Sequence, residues 1–337
     1  MSAPTAVLLC PGRGAYGRDE LGFLARHQVD GPVAEALREC DARRAEAGGA
    51  ESTLTAIDRA ERFRPGLHLQ GVNAAELIYF GSMLHLEHLR CRYRIVAVAG
   101  NSLGWYTALA ASGALDPTEG WRLVHTMAEL QLLVEGGQVL TTLVGEDWFP
   151  DAAAHAEVEA AMAAARDAGD DAFVAPSIRL GGHLVLGGTK QGIALLLQRL
   201  PKRRVGDREF PLQLAGNGPF HTELCQATSR AAVDRLAGLR IRRPTTHLVD
   251  GLGRVHSPWS ADPRRLLDYT LTTQVLEPFD FTAAVRTAIR EFNPDVLLCA
   301  GPGTSLRAPV GHVVLAEGYR GLHDKQALFA SGLVAID

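Results

Sequence analysis

Cysteine is sparse and scattered in this chain. The five residues, Cys10, Cys40, Cys91, Cys225 and Cys299, form no C-x-x-C pair. That spacing argues against a zinc site or a disulfide framework and fits reduced core thiols of a cytoplasmic protein. No apolar run reaches membrane-spanning length. Met1-Ser2-Ala3-Pro4, leading into apolar residues 6–10, lacks the basic start and long apolar core of a signal peptide and reads as the approach to a first strand. Positive charge is not in excess: the net charge is −4, so no broad basic surface for nucleic acid is expected. Internal repeats are absent, and an alanine-rich helix is the nearest thing to low complexity. Gly12-Arg13-Gly14 lacks the further glycine of a dinucleotide fingerprint. What remains is 337 residues, 47% hydrophobic and 21% charged, enough for one large domain carrying an insert.

The most informative segment runs from Ile95 to Trp105. Ile95 to Ala99 read as a buried strand, Gly100, Ser102 and Gly104 form a G-x-S-x-G pattern, and a helix-forming stretch follows at Trp105. Strand, sharp turn and helix are the context of a nucleophile elbow. Small residues at its flanks let the backbone pass close to strand and helix. The helix start aims N–H groups at negative charge forming on a serine ester.

Around this segment the chain reads as α/β. An apolar strand at residues 7–10 ends in the turn Pro11-Gly12-Arg13-Gly14, and helices are expected at 33–47, 72–89 and 118–133. Strand 139–144, helix 151–168, strands 173–180 and 183–186, helix 191–200 and a strand-like 203–214 follow. That β-α-β-β-α-β order is ferredoxin-like. Helix 222–237, strand 246–249, helices 263–272 and 282–290 and strand 296–299 return to the larger unit. The expectation is therefore a large α/β-hydrolase-like domain with a parallel sheet, residues 1–136 and 206–337, and a small ferredoxin-like (α+β) insert, residues 137–205.

Five segments, in order, resemble the malonyl-CoA:acyl-carrier-protein transacylases and the acyltransferase domains of polyketide synthases. They are Pro11-Gly12-Arg13-Gly14, Gly100-Asn101-Ser102-Leu103-Gly104, Gly218-Pro219-Phe220-His221, Leu276-Glu277-Pro278-Phe279-Asp280-Phe281 and Gly301-Pro302-Gly303. The resemblance implies ping-pong acyl transfer between pantetheine thioesters, with Ser102 as nucleophile and His221 as base and then acid. It implies oxyanion donors at the backbone N–H groups of Arg13 and Leu103, and a histidine oriented by backbone carbonyls, leaving Asp207 and Asp250 structural. Acyl carrier proteins, or acyl-CoA as donor, would be the partners, with no metal or redox cofactor, no nucleic acid and no membrane.

Three departures from that pattern carry information. Asn101 stands where the family has histidine, and Arg13 where it has glutamine. Met127 falls where malonyl-type members place the arginine that grips the extender carboxylate. Methionine fills an apolar pocket but cannot hold a carboxylate, so a non-carboxylated, starter or aminoacyl-type group is expected, on a wall including Met127, Asn101, Phe220 and Arg13. Arg13, or Arg122 in a shifted register, is the alternative carboxylate anchor of a malonyl enzyme. Lys202-Arg203-Arg204 and Arg307 are candidate docking cations for an acidic carrier. Two more readings stay open: thioester hydrolysis on the same fold, and an α/β-hydrolase whose histidine is His312 or His323. A non-catalytic carrier-binding protein is the reading from another class.

Overall fold

The computed structural model describes residues 3–335; Met1 and Ser2, at the head of the expected first segment, lie outside the described residues. Six strands form the main sheet: β1 (Thr5–Cys10), β2 (Arg94–Gly100), β9 (His247–Val249), β10 (Val255–His256), β12 (Val296–Cys299) and β13 (Val334–Ala335). Their order is β10-β9-β2-β1-β12-β13, and every pairing is parallel except the edge pair β9–β10. Central strand β1 is buried from Ala6 to Cys10, as expected of a parallel strand covered on both faces. Helices Leu103–Ala111 and Phe281–Phe292 both pack on β2. Residues before and after the insert both feed this one sheet.

The second sheet is built from β3 (Gly137–Thr142), β4 (Val174–Leu180), β5 (His183–Gly188), β8 (Leu212–Gln213) and β11 (Phe279–Asp280), in the order β11-β4-β5-β3-β8. The four strands β4-β5-β3-β8 are antiparallel and, with helices Ala152–Asp167 and Lys190–Arg199, make the ferredoxin-like unit. Side chains alternate across it, as the period of two requires. Val139 and Leu186 face a small core with Val158, Ile193 and Leu196, while Leu140 and Val185 join the main core.

Three expectations need correction here. The strand-like stretch 203–214 is not one strand: β6 (Arg203–Val205) and β7 (Arg208–Phe210) make a separate hairpin, and only β8 pairs with β3. β6 ends at Val205 in the hairpin turn, and the second sheet includes residues up to Gln213. It also gains β11, parallel to β4, from the C-terminal half. The helix expected at 118–133 ends at Leu130 and continues as a tighter turn over Gln131–Leu133. Cys10, Cys40, Cys225 and Cys299 are buried and free, but Cys91 is exposed and is not a core thiol. No helix of the described residues is long and apolar enough to cross a membrane.

Candidate active site

The segment after β2 turns as its glycines allow. Ser102 has φ +54° and ψ −111°, a conformation an L-residue rarely adopts. A Cβ on Gly100 would lie 2.0 Å from the Gly104 carbonyl oxygen, and one on Gly104 would lie 2.1 Å from that of Cys10. Only hydrogen fits at either place, so the sequence pattern and the turn have one steric cause. Helix Leu103–Ala111 starts immediately after, with Ser102 as its N-cap.

His221 reaches this turn from 119 residues away. Its Nε2 lies 2.8 Å from Ser102 Oγ, and its Nδ1 makes a short hydrogen bond to the Gln274 carbonyl oxygen. That carbonyl takes an N–H, so Nε2 carries the lone pair that accepts the serine proton. Burial holds the imidazole down to about 4, partly offset by the Gln274 contact, so it is neutral near pH 7. His221 itself has φ +60°, held by its N–H to the Val275 carbonyl (2.9 Å). The small unit grips the preceding residue: Gln138 donates to Ser177 Oγ, which donates to the Phe220 carbonyl at 2.8 Å.

Gln274 links both partners. Its Nε2 donates to the Ser102 carbonyl (3.3 Å), and its Oε1 accepts from Tyr106 (2.8 Å). Among the described residues no carboxylate joins this arrangement. Asp250 instead bonds His256 at 2.8 Å and the N–H groups of Leu252 and Arg254, and Asp207 is exposed on the hairpin turn. His312 is also excluded as the serine's partner: it accepts from the Gly182 N–H and stacks edge-on against Trp148. Gln274, Gln138 and Ser177 went unread in the sequence because they act as acceptors and struts, with no local pattern to mark them.

Ser102 opens into a cavity of about 570 Å³ between the two units. Most of its wall is apolar, with Met127, Leu140, Ile178, Val185, Leu214 and Phe220. Met127 is buried and lines it; Arg122 does not, pairing instead with Glu119 at 3.5 Å in solvent. Arg13 lines the cavity too. Its guanidinium donates to Gln131 Oε1 and to the Gly216 carbonyl (3.2 Å), and no described carboxylate pairs with it. Burial brings its pKa down to about 10, so it stays a cation. The N–H groups of Arg13 and Leu103 donate to no protein acceptor among the described residues, which leaves both free for an oxyanion.

The expected docking cations separate. Arg203 is spent on Asp151 (2.9 Å) and Glu157, so it is not a free docking charge, and Lys202 pairs with Glu209 at 3.3 Å. Arg204 is exposed. Arg307 is exposed over the Phe329 ring and lines a side chamber of about 300 Å³ with Arg208 and Lys325. Arg208 and Ser305 line both chamber and cavity.

Comparison with known proteins finds this fold repeatedly. An acyl-carrier-protein S-malonyltransferase from Burkholderia pseudomallei 1710b superposes with a TM-score of 0.72 at 18% identity, covering 98% of this chain and 95% of that one. The malonyl-CoA:ACP transacylase of Synechocystis sp. PCC 6803 gives 0.70 at 19%, over 92% and 94%. A malonyl-transacylase solved with its type II PKS acyl-carrier protein gives 0.69 at 19%, over 93% of each chain. No family model and no curated protein sequence matches.

Proposed function

We propose that this chain, which has the fold of the malonyl-CoA:acyl-carrier-protein transacylases, is an acyltransferase working between pantetheine thioesters in polyketide-type biosynthesis, with acyl carrier protein as acceptor. The observation that carries the reading is the 2.8 Å contact of Ser102 Oγ with a neutral His221 whose other nitrogen is tied to Gln274. Ser102 Oγ attacks the thioester carbonyl carbon as its proton passes to His221 Nε2. The oxyanion is held by the N–H groups of Arg13 and Leu103. The C–S bond then breaks, and the departing sulfur takes the proton from His221, leaving an ester on Ser102. A second thiol gives its proton to His221 and attacks that ester, and the steps reverse.

The acyl group carries no carboxylate beside Met127. A malonyl carboxylate against that thioether and its apolar neighbours would lose water without an ion partner, at a cost of several kcal/mol. Arg13 supports the second reading, a malonyl enzyme anchored from the Pro11–Gly14 turn, because its charge faces the cavity unpaired. Intact-protein mass after exposure to charged and uncharged acyl thioesters tests both. Uncharged acyl groups add to the native protein and not to Ser102→Ala. Preferential addition of malonyl favours the second reading, and equal labelling of Ser102→Ala removes both.

A further inference from the structure

Strand β4 carries one residue more than its partner. Its pairing with β5 steps from Pro176 opposite Leu186 to Ile178 opposite Val185, so Ser177 is the extra residue of a β-bulge. Regular alternation would send Ser177 and Ile178 to opposite faces. Here both turn toward the larger unit. Ile178 joins the main core with Leu140 and Val185, and Ser177 donates to the Phe220 carbonyl at 2.8 Å. Ser177 is fully buried and does not line the cavity, so it touches no substrate held there.

The bulge does not act alone. Gln138, on β3, donates to Ser177 Oγ at 2.7 Å, reaches the Phe220 carbonyl at 3.4 Å and accepts from Asn217 Nδ2 at 2.9 Å. Its own carbonyl takes the Leu214 N–H at 2.9 Å. Because Gln138 Oε1 accepts from Asn217, its NH2 group faces Ser177, and the single Ser177 proton is left for the Phe220 carbonyl. Gln138 pairs across the sheet with Gly187 of β5, where a Cβ would lie 3.0 Å from Thr222 Cγ2 and 3.6 Å from the Phe220 carbonyl oxygen. Glycine there lets residues 220–222 lie directly on the sheet. The small unit thus grips the chain from Leu214 to Phe220, and the Gln274 and Val275 carbonyls of the large unit hold His221 itself. The φ of +60° at His221 is a conformation that persists only where its surroundings over-determine it. We propose that Ser177, oriented by Gln138, is a positioning residue for His221: through the Phe220 carbonyl it fixes the backbone that sets Nε2 on Ser102 Oγ. This rests on the acyl-transfer reading and gives the small unit a part in the rate of the reaction, beyond forming a wall of the cavity.

The test follows Ser102 acylation by acetyl-, butyryl- and malonyl-pantetheine at rising concentration, read by intact-protein mass, using the donor that labels the native protein fastest. It separates the saturating rate from the half-saturating concentration. Ser177→Ala is expected to lower the saturating rate about 10- to 100-fold, with the half-saturating concentration little changed. In the His221→Ala background the same substitution has no further effect, because Ser177 acts only through that imidazole. Gln138→Leu frees the Ser177 proton to turn elsewhere and lowers the saturating rate by a smaller factor, which keeps the test open if Ser177→Ala does not fold. A native saturating rate in a folded Ser177→Ala overturns this inference alone. So does a loss confined to the half-saturating concentration, or an equal loss in the His221→Ala background, which a merely structural role would produce. No addition to the native protein from any of the donors overturns the acyl-transfer reading and this inference with it.

Discussion

The two halves of the cavity treat their polar groups differently. Around Ser102 the side chains are answered within the protein: Ser102 by His221, His221 by the Gln274 carbonyl, Gln274 by Tyr106, and the Phe220 carbonyl by Ser177. On the acyl side, Asn101 Oδ1 and Gln131 Nε2 have no partner and Arg13 has no counter-ion among the described residues. A group that must act on reacting atoms is held in one orientation before substrate arrives. Under the proposed acyl transfer, the first set is expected to govern rate and Met127 and Arg13 to govern choice of acyl group.

The largest expected effect lies on the catalytic side. His221→Ala removes the base and should lower the acylation rate by about 10²- to 10⁴-fold with little change in the order of acyl preference; a changed order would break the division. Acid is a second probe. His183 and His221 are held down to about 4 and His312 to about 3 by burial, below the ordinary value of 6.5. The folded state then binds fewer protons than the unfolded chain below pH 6.5. Stability is full above that pH and falls toward pH 4, by up to about 1.4 kcal/mol per pH unit for each imidazole. Urea midpoints at pH 7, 6 and 5 measure the slope, and a flat profile would mean that these rings are not buried and neutral.

Smaller effects belong to the acyl side and the mouth. Met127→Arg should raise malonyl acylation about tenfold or more relative to uncharged groups, checked by competing the two donors; no change would place the acyl group elsewhere in the cavity. Arg307→Glu should raise KM for a carrier-borne donor a few-fold at low salt, leave kcat intact, and lose its effect at high salt. Steady-state kinetics at two ionic strengths check it, and a loss in kcat would move Arg307 out of the docking role.

Legibility in the sequence followed the same line. The elbow was readable because its pattern sits between a strand and a helix and Gly100 is demanded by the Gly104 carbonyl four residues on, although Gly104 itself is demanded by the distant Cys10 carbonyl. Among twelve histidines His221 was favoured by its loop after a strand-like stretch and by the resembling segment Gly218–His221. The ferredoxin-like unit showed in its β-α-β-β-α-β order, but the hairpin β6–β7 did not, because its residues look like one continuous strand until Gly206 turns them with φ +59°. Gln274 and Ser177 were invisible, being useful only through tertiary contact. Arg203 was misread because a basic run shows its charges and not the acids, Asp151 and Glu157, that fold onto it.

The most direct measurement isolates the acyl-enzyme and divides it between buffer and buffer containing holo acyl carrier protein. The account predicts an acyl mass on the peptide bearing Ser102, stable in buffer and passed to the carrier's pantetheine thiol when carrier is added. An acyl mass on another residue, or loss as free acid at the same rate with and without carrier, would contradict it.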